Sequence, residues 1–474
     1  MSYTLREIEE WNDKIEKKVI EYGLDFYSQE FEFIDFNEML GYESYVGMPS
    51  KYPHWSYGKA YEKNKMLYSL NLTGLPYEMV INSDPCLAYL MKENTLLLQI
   101  LTMAHVYGHN DFFKNNRLFK EGTNAKYAIE MFKLDADIIR RYINNPSIGY
   151  KKVERILDAA HAIRYQIGRV IGVKKLSHEE IKQSMIKDYE SKLDNRGILN
   201  QDEKIEFPDL DKIPIEPEDD VVDFIIKYGD LQEWERTVLK IVKRETEYFL
   251  PQMETKIMNE GWASYTHYNI LKELNLPDGL HFEFLKRHND VIAPIVGGLN
   301  PYYVGFKIFE DLDKKYGKEK IFEVREIERD SSFLRRYLTR ELCEELNLFE
   351  YNKRTFDIVV EEVSDEEGWK AIRDNLSYTC GIGGIPYIRV IDFNTKDYTL
   401  TLEHVFDGRE LELNYAKETL KYIQELWGKK VKLITKDSDK KDVVIMCNMD
   451  KEITISWIIP KKDIRFFSYI LLCY

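Results

Sequence analysis

HVYGH, residues 105–109, follows the apolar run LLLQILTMA of residues 96–104, and its reading decides the fold. Leu96, Leu97, Ile100, Leu101 and Ala104 recur at helical spacing, which predicts a helix over residues 88–107 with both histidines at its C-terminal end. Residues four apart on a helix share one face, their Cβ atoms about 6 Å apart. That spacing lets the imidazoles of His105 and His109 reach one metal ion. EGWA, residues 260–263, offers a glutamate from a second helix as a third ligand. In the HExxH pattern the residue after the first histidine is the general-base glutamate. Here it is Val106. The pair therefore points to a metal more directly than to a peptidase. Taken alone it also reads as two histidines near a helix end, where imidazolium suits the dipole.

Further candidates lie around these two segments. Glu260, Ser264, His267 and Leu271 share a helical face, and Gly261 and Ala263 would let another helix come close, as a metal site between helices requires. The same residues also read as a packing seam with Glu260 solvated. Asp111, two residues past His109, reads as a ligand, an acceptor behind a ligand or a helix-ending residue. His161, with Asp158 one turn before it, borders an apolar stripe and reads first as a satisfied core histidine. Placed in the site, either could be the base that Val106 is not. In NPYYVGF, residues 300–306, Pro301 suits a first helical turn, and a tyrosine near that start could donate to an oxyanion. His281 and His288 share a helix and could approach the cluster. GIGG, residues 381–384, lacks the Lys-Ser/Thr ending of a phosphate loop and reads as a turn.

Composition narrows the classes. A chain of 474 residues exceeds one ordinary core and predicts two or three domains. A formal net charge of −15 gains nothing from phosphate contacts, so nucleic acid is excluded as the main partner. The opening residues lack the apolar core of a signal peptide. The apolar ending, residues 453–474, is interrupted by Pro460-Lys461-Lys462-Asp463, so no transmembrane segment is expected. The 5 cysteines are scattered without CxxC spacing, which indicates neither disulfides nor a thiolate zinc site. A cytoplasmic location is the expectation.

Along the chain, residues 1–35 open with an amphipathic helix, 36–75 read as irregular and 77–81 as a strand. Residues 124–175 give two helices, and 187–220, with Pro208, Pro214 and Pro217 among acidic residues, an acidic solvated loop. Helical patterns return over 221–274, 302–316 and 333–346. Strand-like runs then occupy 387–393, 398–405, 410–413, 431–434 and 443–446, around a helix at 415–427. The fold class read from this is α+β: a large, mostly helical domain over residues 1–350, then a small C-terminal α/β domain over 351–474.

These segments resemble the stage V sporulation protein R (SpoVR) family. The resemblance is carried by YEMVINSDPCLAYLMKEN (77–94), HVYGHNDFFKNN (105–116), LDAAHAIRY (157–165), TKIMNEGWASYTHYNI (255–270), FEFLKRH (282–288), NPYYVGFKIFEDL (300–312) and LEHVFDGRELELNYAKETLKYIQELWGKKVKL (402–433). It spans nearly the whole chain, thinning over 187–220 and after about residue 448. It implies a role in making the spore cortex, the peptidoglycan layer built late in sporulation, and leaves the reaction open.

A more distant resemblance bears on the reaction. The order of strand, HxxxH helix, EGWA helix and Pro-Tyr-x-x-Gly helix start is similar to that of helical gluzincin peptidases, which makes the large domain zincin-like. It implies zinc, or another divalent metal, held by His105, His109 and Glu260, with His267 or His161 as a further ligand or behind the ligands, and Tyr303 as the transition-state tyrosine. The base maps to Val106, so either the site serves different chemistry or Asp111, Asp158, His161 or Glu78 replaces it. Imidazole and carboxylate donors suit zinc. The activity implied is metal-assisted hydrolysis of an amide in a peptide or cell-wall precursor. The rival reading is a non-catalytic scaffold or regulatory partner keeping the fold and a structural metal. In a third, the C-terminal domain docks a protein partner, a kinase or a cell-wall enzyme.

Overall fold

A computed structural model describes residues 3–70, 77–172, 175–194, 207, 209–210, 212–295, 298–353, 358–363 and 365–457. The chain forms two compact units, each assembled from two stretches: residues 1–150 with 244–384, and residues 151–243 with 385–474. The units thus divide past the expected 350/351 boundary. The antiparallel hairpin of β4 (Phe349–Lys353) and β5 (Ile358–Val363), and the helix Gly368–Thr379 that packs on Asp330–Tyr337, stay with the first.

The first unit opens with the helix Leu5–Tyr22, started by a Thr4/Glu7 capping box and burying Ile8, Ile15 and Val19. Residues 36–75, expected to be irregular, contain the helices Phe36–Ser44 and Trp55–Ser69. Side chains of Asp35 and His54 start them, local capping that outweighs a Tyr-, Gly- and Pro-rich composition. A three-stranded sheet follows the order β1-β3-β2, with β3 (Cys86–Met91) central, parallel to β1 (Gln29–Ile34) and antiparallel to β2 (Glu78–Ile81).

The central strand corrects the sequence reading, which placed residues 88–91 in a helix. CLAYLM is apolar throughout because a middle strand is covered on both faces, and periodicity cannot separate such a run from a buried helix. The helix starts only at Leu96, where the Thr95 hydroxyl accepts the Leu98 N–H at 3.2 Å. It then runs past both histidines to Asn115, nearly every residue buried. Its polar second half stays helical because the rest of the unit satisfies it. The Asn110 amide donates to the Tyr27 carbonyl at 2.9 Å and accepts the Tyr27 N–H at 2.8 Å.

Three helices pack in series: Leu96–Asn115 on Lys256–Glu273, and that helix on Pro301–Tyr316. Glycines set their spacing. A Cβ on Gly108 would lie 2.7 Å from the Ala263 Cα, and one on Gly261 would lie 2.3 Å from the Gly305 Cα. Backbones come this close only where side chains are absent.

The second unit carries a five-stranded sheet in the order β10-β9-β8-β7-β6, formed by Ile453–Trp457, Asp442–Cys447, Val431–Lys436, Leu400–His404 and Ile388–Phe393. β7 and β8 are parallel, joined through the helix Leu413–Trp427, and the other pairs are antiparallel. This is the expected ββαββ order with one more strand. Residues 410–413 do not form the expected strand, because the Glu412 carboxylate accepts the Tyr415 N–H at 2.6 Å and starts the helix there. The helix His178–Asp194 runs into the expected loop of 187–220, of which residues 195–206, 208 and 211 lie outside the described set, as does the ending 458–474. No described helix is long and apolar enough to cross a membrane.

Candidate metal centre

The histidine pair projects from the Leu96–Asn115 helix toward Glu260 on the helix behind it and Glu78 at the start of β2. Glu260 Oε2 lies 3.5 Å from His109 Nε2 and 3.9 Å from His105 Nε2, and Glu78 Oε1 lies 3.9 Å from His105 Nε2. Among the described residues, Glu78, His105 and His109 form a group whose donor atoms all fall within 4.8 Å of one another. Ligands about 2.1 Å from a tetrahedral zinc stand ~3.4 Å apart, so the spacing suits a cation at the centre. His105 Nε2 and Glu260 Oε2 are both buried with no hydrogen-bond partner. Leaving a polar atom so costs about 1–3 kcal/mol, and a shared cation would satisfy both. The histidine side chains are 4% and 7% exposed against 18% and 17% for Glu78 and Glu260, so the carboxylate side is the one open to solvent.

Second contacts hold the rings. His109 Nδ1 meets Asn259 Oδ1 at 2.9 Å; the amide oxygen accepts, so the ring hydrogen sits on Nδ1 and the Nε2 lone pair faces Glu260. His105 Nδ1 meets His267 Nδ1 at 2.9 Å, and His267 Nε2 meets His288 Nδ1 at 3.0 Å. Both nitrogens of His267 are thus engaged by other rings. It stands behind His105, the second of the two places considered for it.

Burial dominates the electrostatics. It pushes His109 down to about 4, helped by His105, so the ring is neutral near pH 7. His288 is likewise pushed down to about 4, and His267 falls well below its usual range. Burial raises the Glu78 carboxyl. It also works against ionisation of Glu260, but His105 and His109 outweigh it and hold that carboxyl below its usual range.

The tyrosine over the site is Tyr302. Its ring stacks on His105 with centroids 6.1 Å apart and planes 24° apart. The Glu260 charge, then burial, push its phenol well above the usual range, which keeps it a donor. Tyr303, the residue carried over from the resemblance, packs half-buried against the apolar core. The helix geometry explains this. Gly305 faces the Glu260 helix, and a residue three positions earlier shares its face, whereas Tyr303 is turned away. The motif Tyr-x-x-Gly, counted back from Gly305, already fits Tyr302.

Asp111 is turned off the His105/His109 face. Its oxygens accept the Asp25 N–H and the Trp262 indole N–H, both at 2.8 Å, and Arg325 Nε lies 3.4 Å away. Burial pushes its carboxyl up to about 6, against the pull of Arg325. Asp111 thereby ties HVYGHND to EGWA through the tryptophan. Val106 is fully buried in the apolar core. Asp158 and His161 lie on Tyr150–Ile163, in residues assigned to the second unit, and the cluster is built entirely from the first. His281 rests against Phe284, while His288 joins the histidine chain. Sequence reasoning left out Asn259, whose position before Glu260 in the EGWA segment was the available signal.

Known proteins place the chain as follows. Residues 2–385 match the family described as SpoVR like protein, and residues 386–438 match the SpoVR-like C-terminal domain. The uncharacterized protein YcgB of Escherichia coli (strain K12) is 33% identical over 461 residues, covering 88% of this chain and 89% of that protein. No solved structure matches the chain.

Proposed function

This chain belongs to the SpoVR family, which implies a sporulation-associated role, and on that premise we propose a divalent-metal centre, zinc first, that serves amide hydrolysis in a peptide or cell-wall precursor during cortex formation in the cytoplasm. His105, His109 and Glu260 hold the metal. Glu78 supplies the carboxylate base that Val106 cannot, reaching the site from a strand instead of the histidine helix. Tyr302 donates its hydroxyl to the oxygen that gains charge. A zinc in such a site lowers the pKa of bound water to about 7. The observation that carries this reading is the pair of buried, unpartnered atoms, His105 Nε2 and Glu260 Oε2, facing each other across 3.9 Å.

Metal analysis of the full chain purified without chelators tests it. Stoichiometric zinc is expected in the wild type and its loss in His109→Ala and Glu260→Gln. No metal in the wild type, or unchanged metal in His109→Ala, sinks the ligand assignment. In Glu78→Gln the metal should remain while turnover of an amide substrate falls about 10²–10⁴-fold, the usual cost of losing a positioned base.

The burial of Val106 in an apolar core favours a second reading, a scaffold in which the metal is structural. It predicts that His105→Ala lowers the melting temperature and that no turnover accompanies metal binding.

A further inference from the structure

From the proposed ligand His105 runs a line of three buried imidazoles. His105, His267 and His288 are 3%, 0% and 2% exposed, and they come from three different helices, Leu96–Asn115, Lys256–Glu273 and Asp278–Val291. They meet nitrogen to nitrogen at 2.9 and 3.0 Å, distances at which one nitrogen of each pair must carry the hydrogen and the other must accept it. Aromatic rings hold the far end. Tyr268 stacks on His288 with centroids 4.5 Å apart and planes 27° apart, and Phe306 meets its edge at 5.1 Å.

A neutral imidazole has one N–H and one lone pair, so the line taken by itself has two self-consistent settings, between which a contact of the His267 ring with the Ala263 backbone one turn earlier also weighs. In the first, His105 carries its hydrogen on Nδ1 and donates to His267 Nδ1. His267 then carries its own on Nε2 and donates to His288 Nδ1. This leaves the His105 Nε2 lone pair facing Glu78 and Glu260. In the second, every hydrogen is shifted: His288 Nδ1 donates to His267 Nε2, and His267 Nδ1 donates to His105 Nδ1. His105 then presents an Nε2–H toward the carboxylates and cannot ligate through that atom. Both settings contain the same number of protons, so the choice between them is one of tautomer and not of charge.

We propose that His267 and His288 are positioning residues forming a tautomeric relay, which sets the His105 Nε2 lone pair toward the metal and couples that setting to the far side of the Glu260 helix. The relay rests on the metal reading above. Partners behind a ligating histidine fix its tautomer and ring orientation, and their loss typically costs about 10–100-fold in metal affinity. Here the partner is itself an imidazole, so its orientation depends in turn on His288. His109 differs, because its Asn259 amide oxygen offers a single setting.

Full-length protein with ¹⁵N-labelled histidine tests this, read by long-range ¹H–¹⁵N correlation with and without zinc. Zinc-loaded wild type should show His105 with its hydrogen on Nδ1 and His267 with its hydrogen on Nε2. His267→Phe should weaken zinc binding about 10–100-fold at an unchanged near-ultraviolet circular dichroism spectrum. His267→Asn, which keeps an acceptor for His105, should recover most of that loss. His288→Phe should leave zinc bound, and in the zinc-free protein it should broaden the His267 tautomer signal into a mixture. If wild type takes up no zinc, the metal reading falls. If it takes up zinc and His267→Phe binds it equally well, the relay is overturned and the metal site stands; if His105 carries its hydrogen on Nε2 in the zinc form, the relay is overturned and His105 is lost as a ligand.

Discussion

The helices Lys256–Glu273 and Leu413–Trp427 are 18 and 15 residues long, and they solve burial in opposite ways. The second is amphipathic. Leu420, Ile423, Leu426 and Trp427 are buried, while Tyr415 is 78% exposed. The first is covered nearly all round, with Asn259, Ser264, Thr266 and His267 buried beside Trp262 and Ile270. Every polar side chain on a helix of this kind needs a partner inside the protein. Asn259 finds His109, His267 finds two histidines, and Glu260 faces the His105/His109 pair. Thr266 donates back to the Trp262 carbonyl at 2.8 Å, and Asn259, Glu260 and His267 are the polar residues that meet at the candidate centre. The amphipathic helix leaves most of its polar residues to water, Gln424 being a buried exception.

Substitutions should therefore separate the two helices sharply. The largest effect is expected at the glycine seam. In Gly261→Val the new side chain would start 2.3 Å from the Gly305 Cα, a backbone atom that cannot swing aside. A loss of about 3 kcal/mol or more, read by urea denaturation, is expected, at the upper end for overpacking. Tyr415→Ala on the exposed face of the other helix should stay within about 0.5 kcal/mol. Equal losses at the two sites would remove the distinction.

Zinc should act on one side of the contrast alone. At a free concentration near 100 times its dissociation constant, it should stabilise the wild type by about 2.7 kcal/mol. The same addition should leave Glu260→Gln unmoved, and a matching stabilisation of that variant would place the metal elsewhere. Trp262→Phe tests the tie between the segments. It withdraws the N–H that Asp111 accepts at 2.8 Å and also shrinks a fully buried side chain, for an expected loss of at least about 1–3 kcal/mol. No loss would mean that Arg325 and the Asp25 N–H suffice.

What the sequence made legible follows from the same difference. Strands such as Leu400–His404 alternate buried and half-buried residues, so the period of two marks them without a tertiary context. The amphipathic helices at Leu5–Tyr22 and Leu413–Trp427 show a period of 3.6 for the same reason. A fully covered element has no such signature. CLAYLM merged with the helix after it, and the polar run of residues 109–115 looked like a helix end. At the site, the HxxxH and EGWA segments were legible because fixed spacings report one helix face. Glu78 on a strand, Tyr302 instead of Tyr303, and the link from His267 to His288 depend on how separate elements meet. No spacing within one element encodes that.

The smallest effect concerns how the Glu260 helix begins. Its preceding residue, Thr255, does not cap it, since the hydroxyl donates back to the Pro251 carbonyl at 2.7 Å. Asp330, from the helix Asp330–Tyr337, takes that place, each oxygen accepting one N–H, from Ile257 and Met258, at 2.9 Å. Burial pushes this carboxyl up to about 8, over the opposing pull of those two N–H groups and with a further push from Glu254 and Glu260. An unfolded aspartate titrates near 3.9. Between roughly pH 4 and 8, therefore, the folded protein keeps a proton that the unfolded chain has released. The stability this group contributes is complete below about pH 4 and is lost as pH rises through 8, with a slope of up to ~1.4 kcal/mol per pH unit. Asp330→Asn cannot titrate and keeps a single acceptor oxygen for two N–H groups. It should cost about 1 kcal/mol at pH 5, and at a slope of up to ~1.4 kcal/mol per pH unit the gap to wild type should close near pH 6 and reverse above it. Urea denaturation curves at pH 5, 6, 7 and 8 decide it. Parallel stability profiles for the two proteins would mean that Asp330 is ionised throughout and that the buried helix start, like the exposed one at Glu412, tolerates a full charge.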